Sequence, residues 1–183
     1  MLLIFLRAIC TTKRFLIFLY ANGLYYLLKK SKLMQKITPF LWFNGQLEEA
    51  ISFYTSIFKK AIITDKRNMG GGKIMSATME LDGQQLILFD GGPMFKFTPA
   101  ISLFINCDTQ EEVDELWEKL STGGAKSRCG WLQDKYGLSW QVIPSALGRL
   151  MGDPDPQKSK RVMDAMLKMD KIVIKDLQAA YDK

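Results

Sequence analysis

Three thiols and nineteen carboxylates stand in this sequence without a single imidazole, because its 183 residues include no histidine. Without imidazole there is no Ser-His-Asp or Cys-His nucleophile, no HExxH zinc helix and no two-His-one-carboxylate iron site. The cysteines, Cys10, Cys107 and Cys129, are odd in number and lack CxxC spacing. Neither a disulfide framework nor a cysteine zinc site is indicated, and a reducing cytoplasm is the default compartment. Cys129, in Cys-Gly-Trp, falls in a predicted loop, and as a nucleophile it would need Lys126, Arg128 or a helix N-terminus to activate it. The plainer reading is a small hydrophobe. Asp90 would serve as a general base if partly buried, although Asp-Gly-Gly is first a turn signature.

A repeat supplies the elements that must position these groups. Residues 39–54 line up with 102–117 at a constant offset of 63, each running from a strand into an amphipathic helix. Leu47, Ala50, Ile51, Tyr54, Ile57 and Phe58 keep helical spacing in the first copy. Val113, Leu116, Trp117 and Leu120 do so in the second, with Asp108 and Glu111 placed as a capping pair. After the first helix, 61–67, 73–82 and 84–90 read as strands, divided by Gly70-Gly71-Gly72 and the Asp82-Gly83 turn. In the second copy 125–129, 131–135 and 138–144 follow the same order. The unit is β-α-β-β-β, present twice, over 36–92 and 97–144. Helices are expected at 146–151, 159–169 and 176–181, with Asp153 or Asp155 as an N-cap. The predicted class is α+β, two paired βαβββ units with C-terminal helices.

Charge is concentrated at the start. Six of the 25 basic residues lie in 1–33, and the first acidic residue is Glu48. The remainder holds 19 basic against 19 acidic residues, so the excess of positive charge describes the extension and gives the domain no nucleic-acid surface. The longest apolar run of that extension, 15–28, is shorter than the roughly 20 residues a membrane-spanning helix needs. Residues 1–33 read as a mis-called start ahead of Met34, with a membrane anchor as the other reading. Membrane attachment is expected only if that segment is retained.

Four stretches carry a family resemblance: ITPFLWFNG (37–45) with EEAISFY (48–54), FTPAISLFINCDTQEEVDELWEKL (97–120), CGWLQDKYGLSWQVIP (129–144) and DPDPQKSKRVMDAML (153–167). Together they resemble the vicinal oxygen chelate superfamily of glyoxalases, bleomycin-resistance proteins and extradiol dioxygenases. Within it they resemble the PhnB-like group, whose domain bears the name 3-demethylubiquinone-9 3-methyltransferase. The resemblance implies curved sheets closing around a shared cavity, often in a homodimer. It also implies a metal held by His or Glu at four cavity-facing strand positions, which align here with Pro39, Ile87, Ser102 and Gln141. Pro and Ile side chains do not ligate, and neutral Ser and Gln oxygens alone do not hold a transition metal. The methyltransferase name finds no support in the residues either, since Gly70-Gly71-Gly72 precedes a strand where a nucleotide cradle would follow one into a helix. No cofactor is expected.

Strand alternation places Pro39, Leu41 and Phe43 on one cavity wall, opposite Gln85, Ile87 and Phe89, and Ser102, Phe104 and Asn106 on another with Ser139, Gln141 and Ile143. Phe43, Phe89, Ser102, Phe104, Asn106 and Gln141 are the expected ligand-binding residues. Asn106 and Gln141 would orient the ligand, and Trp131 and Trp140 line the pocket or fill core. Gln133, Asp134 and Lys135 read as a solvated turn. The expected function is metal-free binding of a small apolar or aromatic molecule in the cavity between the two βαβββ units, by a cytoplasmic homodimer. The alternative is an enzyme, either a glyoxalase- or dioxygenase-like protein with a rearranged metal site or the methyltransferase of the family name.

Overall fold

The computed structural model describes residues 35–183, and the readings made for residues 1–33 lie outside them. Unit one runs β1 (Phe40–Phe43), α1 (Leu47–Ile57), β2 (Ile62–Asn68), β3 (Ile74–Leu81) and β4 (Gln84–Asp90). Unit two repeats the order with β5 (Ser102–Cys107), α2 (Gln110–Ser121), β6 (Ala125–Lys126), β7 (Trp131–Gln133) and β8 (Ser139–Pro144). Each unit forms a four-stranded mixed sheet, ordered β1-β4-β3-β2 and β5-β8-β7-β6. The first and last strand of each unit pair in parallel, Phe40 beside Ile87 and Ser102 beside Ser139, and the remaining pairs are antiparallel. Three helices complete the chain, α3 (Ser145–Met151), α4 (Pro156–Met166) and α5 (Ile174–Tyr181).

The helices form where the apolar spacing places them, because one stripe of each can be buried against its own sheet. Leu47, Ala50, Ile51, Tyr54 and Ile57 are buried on α1, and Val113, Leu116, Trp117 and Leu120 on α2. Each Leu or Ile so buried contributes about 1.5–3 kcal/mol. A continuous core joins these stripes to Leu41, Phe43, Leu86 and Leu88 of sheet one and to Leu132, Trp140 and Val142 of sheet two. A second, smaller core ties α3, α4 and α5 together through Leu147, Leu150, Val162 and Leu177, and takes in Ile143 from β8. The β3–β4 hairpin closes on Asp82 (φ 45) and Gly83 (φ 93), both left-handed, the backbone a two-residue turn of matching twist requires.

Several boundaries differ from the sequence expectation. The α2 cap is one residue further on: Thr109 Oγ1 accepts from the Glu112 N–H (3.2 Å), and Glu112 Oε2 accepts from the Asp108 N–H (2.8 Å). Here Thr109 and Glu112 stand at the three-residue spacing that a capping box needs. Helix α4 begins at Pro156, because Asp155 caps it by accepting from the Gln157 N–H and proline suits the first helical position. β7 is shorter than expected because the chain turns at Asp134, discussed below, and β6 because it turns through Arg128, Cys129 and Gly130, where the Trp131 N–H donates to the Arg128 carbonyl (3.1 Å).

Candidate functional site

Each sheet has one face against its own helix. The other is open on sheet one; on sheet two β5 and β8 leave it open at Ser102, Phe104, Asn106 and Gln141 only, since the C-terminal helices cover Ile143 and Ser139 is buried, against the expected wall. Residues paired side by side share a face, so Leu41, beside Leu88, lies on the core side, and Phe40 and Trp42, beside Ile87 and Phe89, lie on the open side. This corrects the expected wall of unit one. Phe43 is 2% exposed and packs edge-on against Phe97 and Tyr136. Pro39, just before β1, alternates with Leu41 and Phe43, and the open-face position beside Ile87 belongs to Phe40. Alternation tells which residues share a face; in a run apolar from Pro39 to Phe43, hydrophobicity does not tell which face meets the helices.

The open face of sheet one is aromatic. Phe89 sits 5.6 Å from Phe40 and 5.1 Å from Trp42 between ring centroids, and Trp42 lies edge-on to Phe95 at 5.0 Å. The indole is fixed, since its Nε1–H donates to the Gly92 carbonyl (2.8 Å). Its ring also fills the space beside Gly91 so closely that a Cβ there would sit 2.1 Å from it. On sheet two the open face is neutral and polar: Gln141 Nε2 donates to Ser102 Oγ (2.8 Å), Phe104 stands beside Gln141, and Asn106 is exposed next along β5. Five of the six expected binding residues therefore lie on open faces, Phe89 on one sheet and Ser102, Phe104, Asn106 and Gln141 on the other. Phe40 is 55% exposed and Phe104 53%.

Two clefts flank these faces. One, of about 560 Å³, runs along β5 and is lined by Phe58, Leu81, Phe104, Asn106, Leu116 and Trp140, with Lys59, Lys60, Glu112 and Glu115 also bordering it. The other, of about 310 Å³, lies where unit one meets unit two, among Trp42, Phe95, Phe97 and Tyr136.

The candidate reactive groups are held in structural roles. Burial would raise the Asp90 pKa, but Lys73 Nζ at 2.8 Å and the Gly45 N–H at 2.6 Å hold it below the ordinary carboxylate value. A carboxylate so stabilised is a weak base, and Asp90 instead ties the β1–α1 loop to Lys73 at the head of β3. Cys129 takes a left-handed backbone (φ 57) in the turn before β7. Its N–H donates to the Met169 carbonyl and its thiol to the Met166 carbonyl at the end of α4, so it anchors the C-terminal helices. Burial, with Glu112 and Asp108 nearby, pushes the Cys107 thiol up to about 12.

Asp134 overturns the solvated-turn reading: it is 2% exposed and accepts four hydrogen bonds. Tyr54 Oη (2.8 Å) and Trp140 Nε1 (2.9 Å) donate to Oδ2, and the Tyr136 (2.9 Å) and Leu138 (3.1 Å) N–H groups to Oδ1. Burial raises its pKa against the pull of these donors. It joins α1 of unit one to the β7–β8 turn of unit two. Beside it Lys135 pairs with Glu49 and lies over the Phe53 and Tyr136 rings. Trp140 is accordingly core, whereas Trp131 stands on the open face beside Gln141. Two signals were available for Asp134: an Asp two residues before Tyr136-Gly137 can bond its own turn, and Tyr54 and Trp140 both carry donors that must be satisfied when buried.

A transition metal does not fit the residues present. Phe40 and Ile87 on sheet one and Ser102 and Gln141 on sheet two occupy the strand positions in question, and the Ser102 and Gln141 oxygens are neutral. Among the described residues no group of three or more His, Cys, Asp or Glu side chains is placed to share an ion, and no helix is long and apolar enough to cross a membrane.

Paired βαβββ units with this strand order define a vicinal oxygen chelate protein. Within that class the chain belongs to the PhnB-like family described as 3-demethylubiquinone-9 3-methyltransferase, which matches residues 35–143 and leaves α3, α4 and α5 outside. It is similar to a PhnB protein from Bacillus cereus, with 39% identity and a TM-score of 0.57, over 61% of this chain and all of that one. A fosfomycin resistance protein, FosX, from Listeria monocytogenes, whose structure holds Mn(II), is 16% identical over 59% of this chain and 89% of that one (TM-score 0.47). A glyoxalase/bleomycin resistance protein from Albidiferax ferrireducens is 13% identical over 58% and 95% of the two chains (TM-score 0.41). No curated protein matches the chain.

Proposed function

We infer that this chain is a metal-free PhnB-like protein that holds a small apolar or aromatic molecule on its open sheet faces, with a second copy completing the enclosure. The observation that carries this reading is the pair of uncovered faces, one aromatic around Phe40, Trp42 and Phe89 and the other neutral and hydrogen-bonding around Ser102, Phe104 and Gln141. Ring residues left half-exposed in rows mark a surface that gains from being covered. Neutral hydroxyl and amide groups orient an uncharged ligand without the desolvation cost of a buried ion. The reading places the protein in the cytoplasm as a binding protein. Methyl transfer of the common S-adenosylmethionine type needs a parallel α/β sheet with a glycine-rich turn, whereas each sheet here has a single parallel pair.

Native mass spectrometry of the untagged protein tests the reading. A dimer that carries an organic adduct and no metal supports it and gives the ligand's mass. A stoichiometric metal ion, or a monomer that takes up no small molecule, overturns it.

A further inference from the structure

We propose that Asn44 is a latent site of spontaneous deamidation, closed in the folded protein by the hydrogen bond that the Gly45 N–H donates to Asp90. Asn44 and Gly45 lie in the turn between β1 and α1, and both are exposed. In an Asn-Gly pair the glycine nitrogen attacks the asparagine Cγ. The new C–N bond closes a succinimide ring, the Cγ–Nδ2 bond breaks, and ammonia leaves with the hydrogen that the glycine nitrogen gives up. Water then opens the ring at either carbonyl and leaves aspartate or isoaspartate. Glycine favours this attack because it has no side chain to crowd the ring. A Cβ built on Gly45 meets nothing within 4 Å, so the surroundings do not crowd it either. The other asparagines among the described residues, Asn68 and Asn106, lie in β2 and β5 and precede Met69 and Cys107.

The attacking nitrogen is held. Its hydrogen bond to Asp90 Oδ1 is 2.6 Å long, and Lys73 Nζ, 2.8 Å from Oδ2, fixes the carboxylate from its other oxygen. The Asp90 side chain is only 6% exposed, so little solvent competes for it. Attack requires the Gly45 hydrogen to leave and negative charge to build on nitrogen. An ionised carboxylate opposes both steps, by retaining the hydrogen and by repelling the developing charge. The groups that hold the Asp90 pKa down, Lys73 and the Gly45 N–H, also make it too poor a base to take the hydrogen itself. Isoaspartate would lengthen the main chain by one carbon between Phe43 and Leu47, both buried in the core. Molecules that have lost the Asp90 contact are therefore the ones that age at this position. None of this depends on the ligand reading above.

Peptide mapping by mass spectrometry of the full chain, kept folded at mildly alkaline pH and sampled over several days, tests the proposal. The map reads Asn44 separately from Asn22-Gly23, an Asn-Gly pair outside the described residues. The folded parent should convert slowly at Asn44. Asp90→Ala should raise the folded rate about ten- to a hundredfold, the scale of one hydrogen bond to a charged group. Lys73→Met breaks the same ion pair but leaves Asp90 on the Gly45 N–H, and should stay within about twofold of the parent. Isoaspartate should accompany aspartate, since the ring route makes both. Hydrogen exchange followed by NMR, which needs no variant, should find the Gly45 amide protected in the parent. An Asp90→Ala rate equal to or below the parent's, a Lys73→Met rate as high as that of Asp90→Ala, aspartate without isoaspartate, or free exchange at Gly45 would each overturn the proposal. If Asp90→Ala does not fold, the Lys73→Met rate and the Gly45 exchange decide.

Discussion

The two units share one strand order and differ in what they leave uncovered. Sheet one has long strands and an open face of mutually packed rings; sheet two has two very short strands and an open face of hydroxyls and amides, its strongest feature the Gln141–Ser102 hydrogen bond. Their carboxylates differ in the same direction. Asp90 of unit one ends β4 and pairs with a lysine, whereas Asp134 of unit two is buried among neutral donors and reaches across to Tyr54. Duplication has kept the faces that make the core alike, where apolar side chains meet helices, and allowed the other faces and the loops to specialise. One half stacks and the other orients, so recognition that uses both needs the two together.

Asp134→Ala should cut deepest into this arrangement. It strands two backbone N–H groups, the Trp140 indole and the Tyr54 hydroxyl in the core, and should cost about 3–5 kcal/mol in urea unfolding. If the cost is under about 1 kcal/mol, the junction between the units does not depend on this carboxylate. Tyr54→Phe removes one donor and keeps the ring, and should cost about 1 kcal/mol.

The two carboxylates should also give stability opposite slopes with pH. Asp134 has a raised pKa in the folded state, so its contribution is full below the ordinary carboxylate pKa and is lost as pH rises through the folded value. Asp90 has a lowered one, so its contribution is present above the ordinary value and lost as pH falls through the folded value. Urea unfolding of the parent, Asp134→Asn and Asp90→Asn between pH 3 and 8 separates the two: Asp90→Asn should flatten the acid side and Asp134→Asn the fall toward neutral pH. Matching slopes in both variants would remove the contrast.

Smaller effects test the open faces and the anchoring turn. Cys129→Gly should change stability by no more than about 1 kcal/mol, since relief of the left-handed backbone offsets the lost side-chain contact, and ligand uptake should be unaffected. Loss of uptake would return Cys129 to the site. Phe104→Ala should move stability by less than about 0.5 kcal/mol while weakening dimer formation in sedimentation. Incubation with a chelator should leave the unfolding midpoint where it was; a drop would show a resident metal.

Much of this was legible in the chain. The offset of 63, the 3.6-residue stripes and the Asp82-Gly83 turn led to the duplicated unit because helix burial and hairpin geometry are local constraints with strong residue preferences. Sheet two's open face was readable for the same reason: Ser102, Phe104 and Asn106 alternate with apolar Leu103 and Ile105. The face of β1 was not, because Pro39 to Phe43 are all apolar and only the packed helix distinguishes their sides. Asp134 was legible only as a turn residue, for another reason. Its burial depends on Tyr54, 80 residues away, and a carboxylate beside a lysine looks solvated until that partner arrives.

The parallel pairing of each unit's first and last strand also bears on how the chain reaches its native state. β1 pairs with β4, and β5 with β8, across the helix and two strands between them, so each half closes its own long loop. Closure entropy rises only with the logarithm of loop length, about 0.6 kcal/mol per doubling, and the two loops are of similar size. Two loops of comparable closing cost therefore lie in one chain, and the Tyr54–Asp134 bond, between groups 80 residues apart, ties the one to the other.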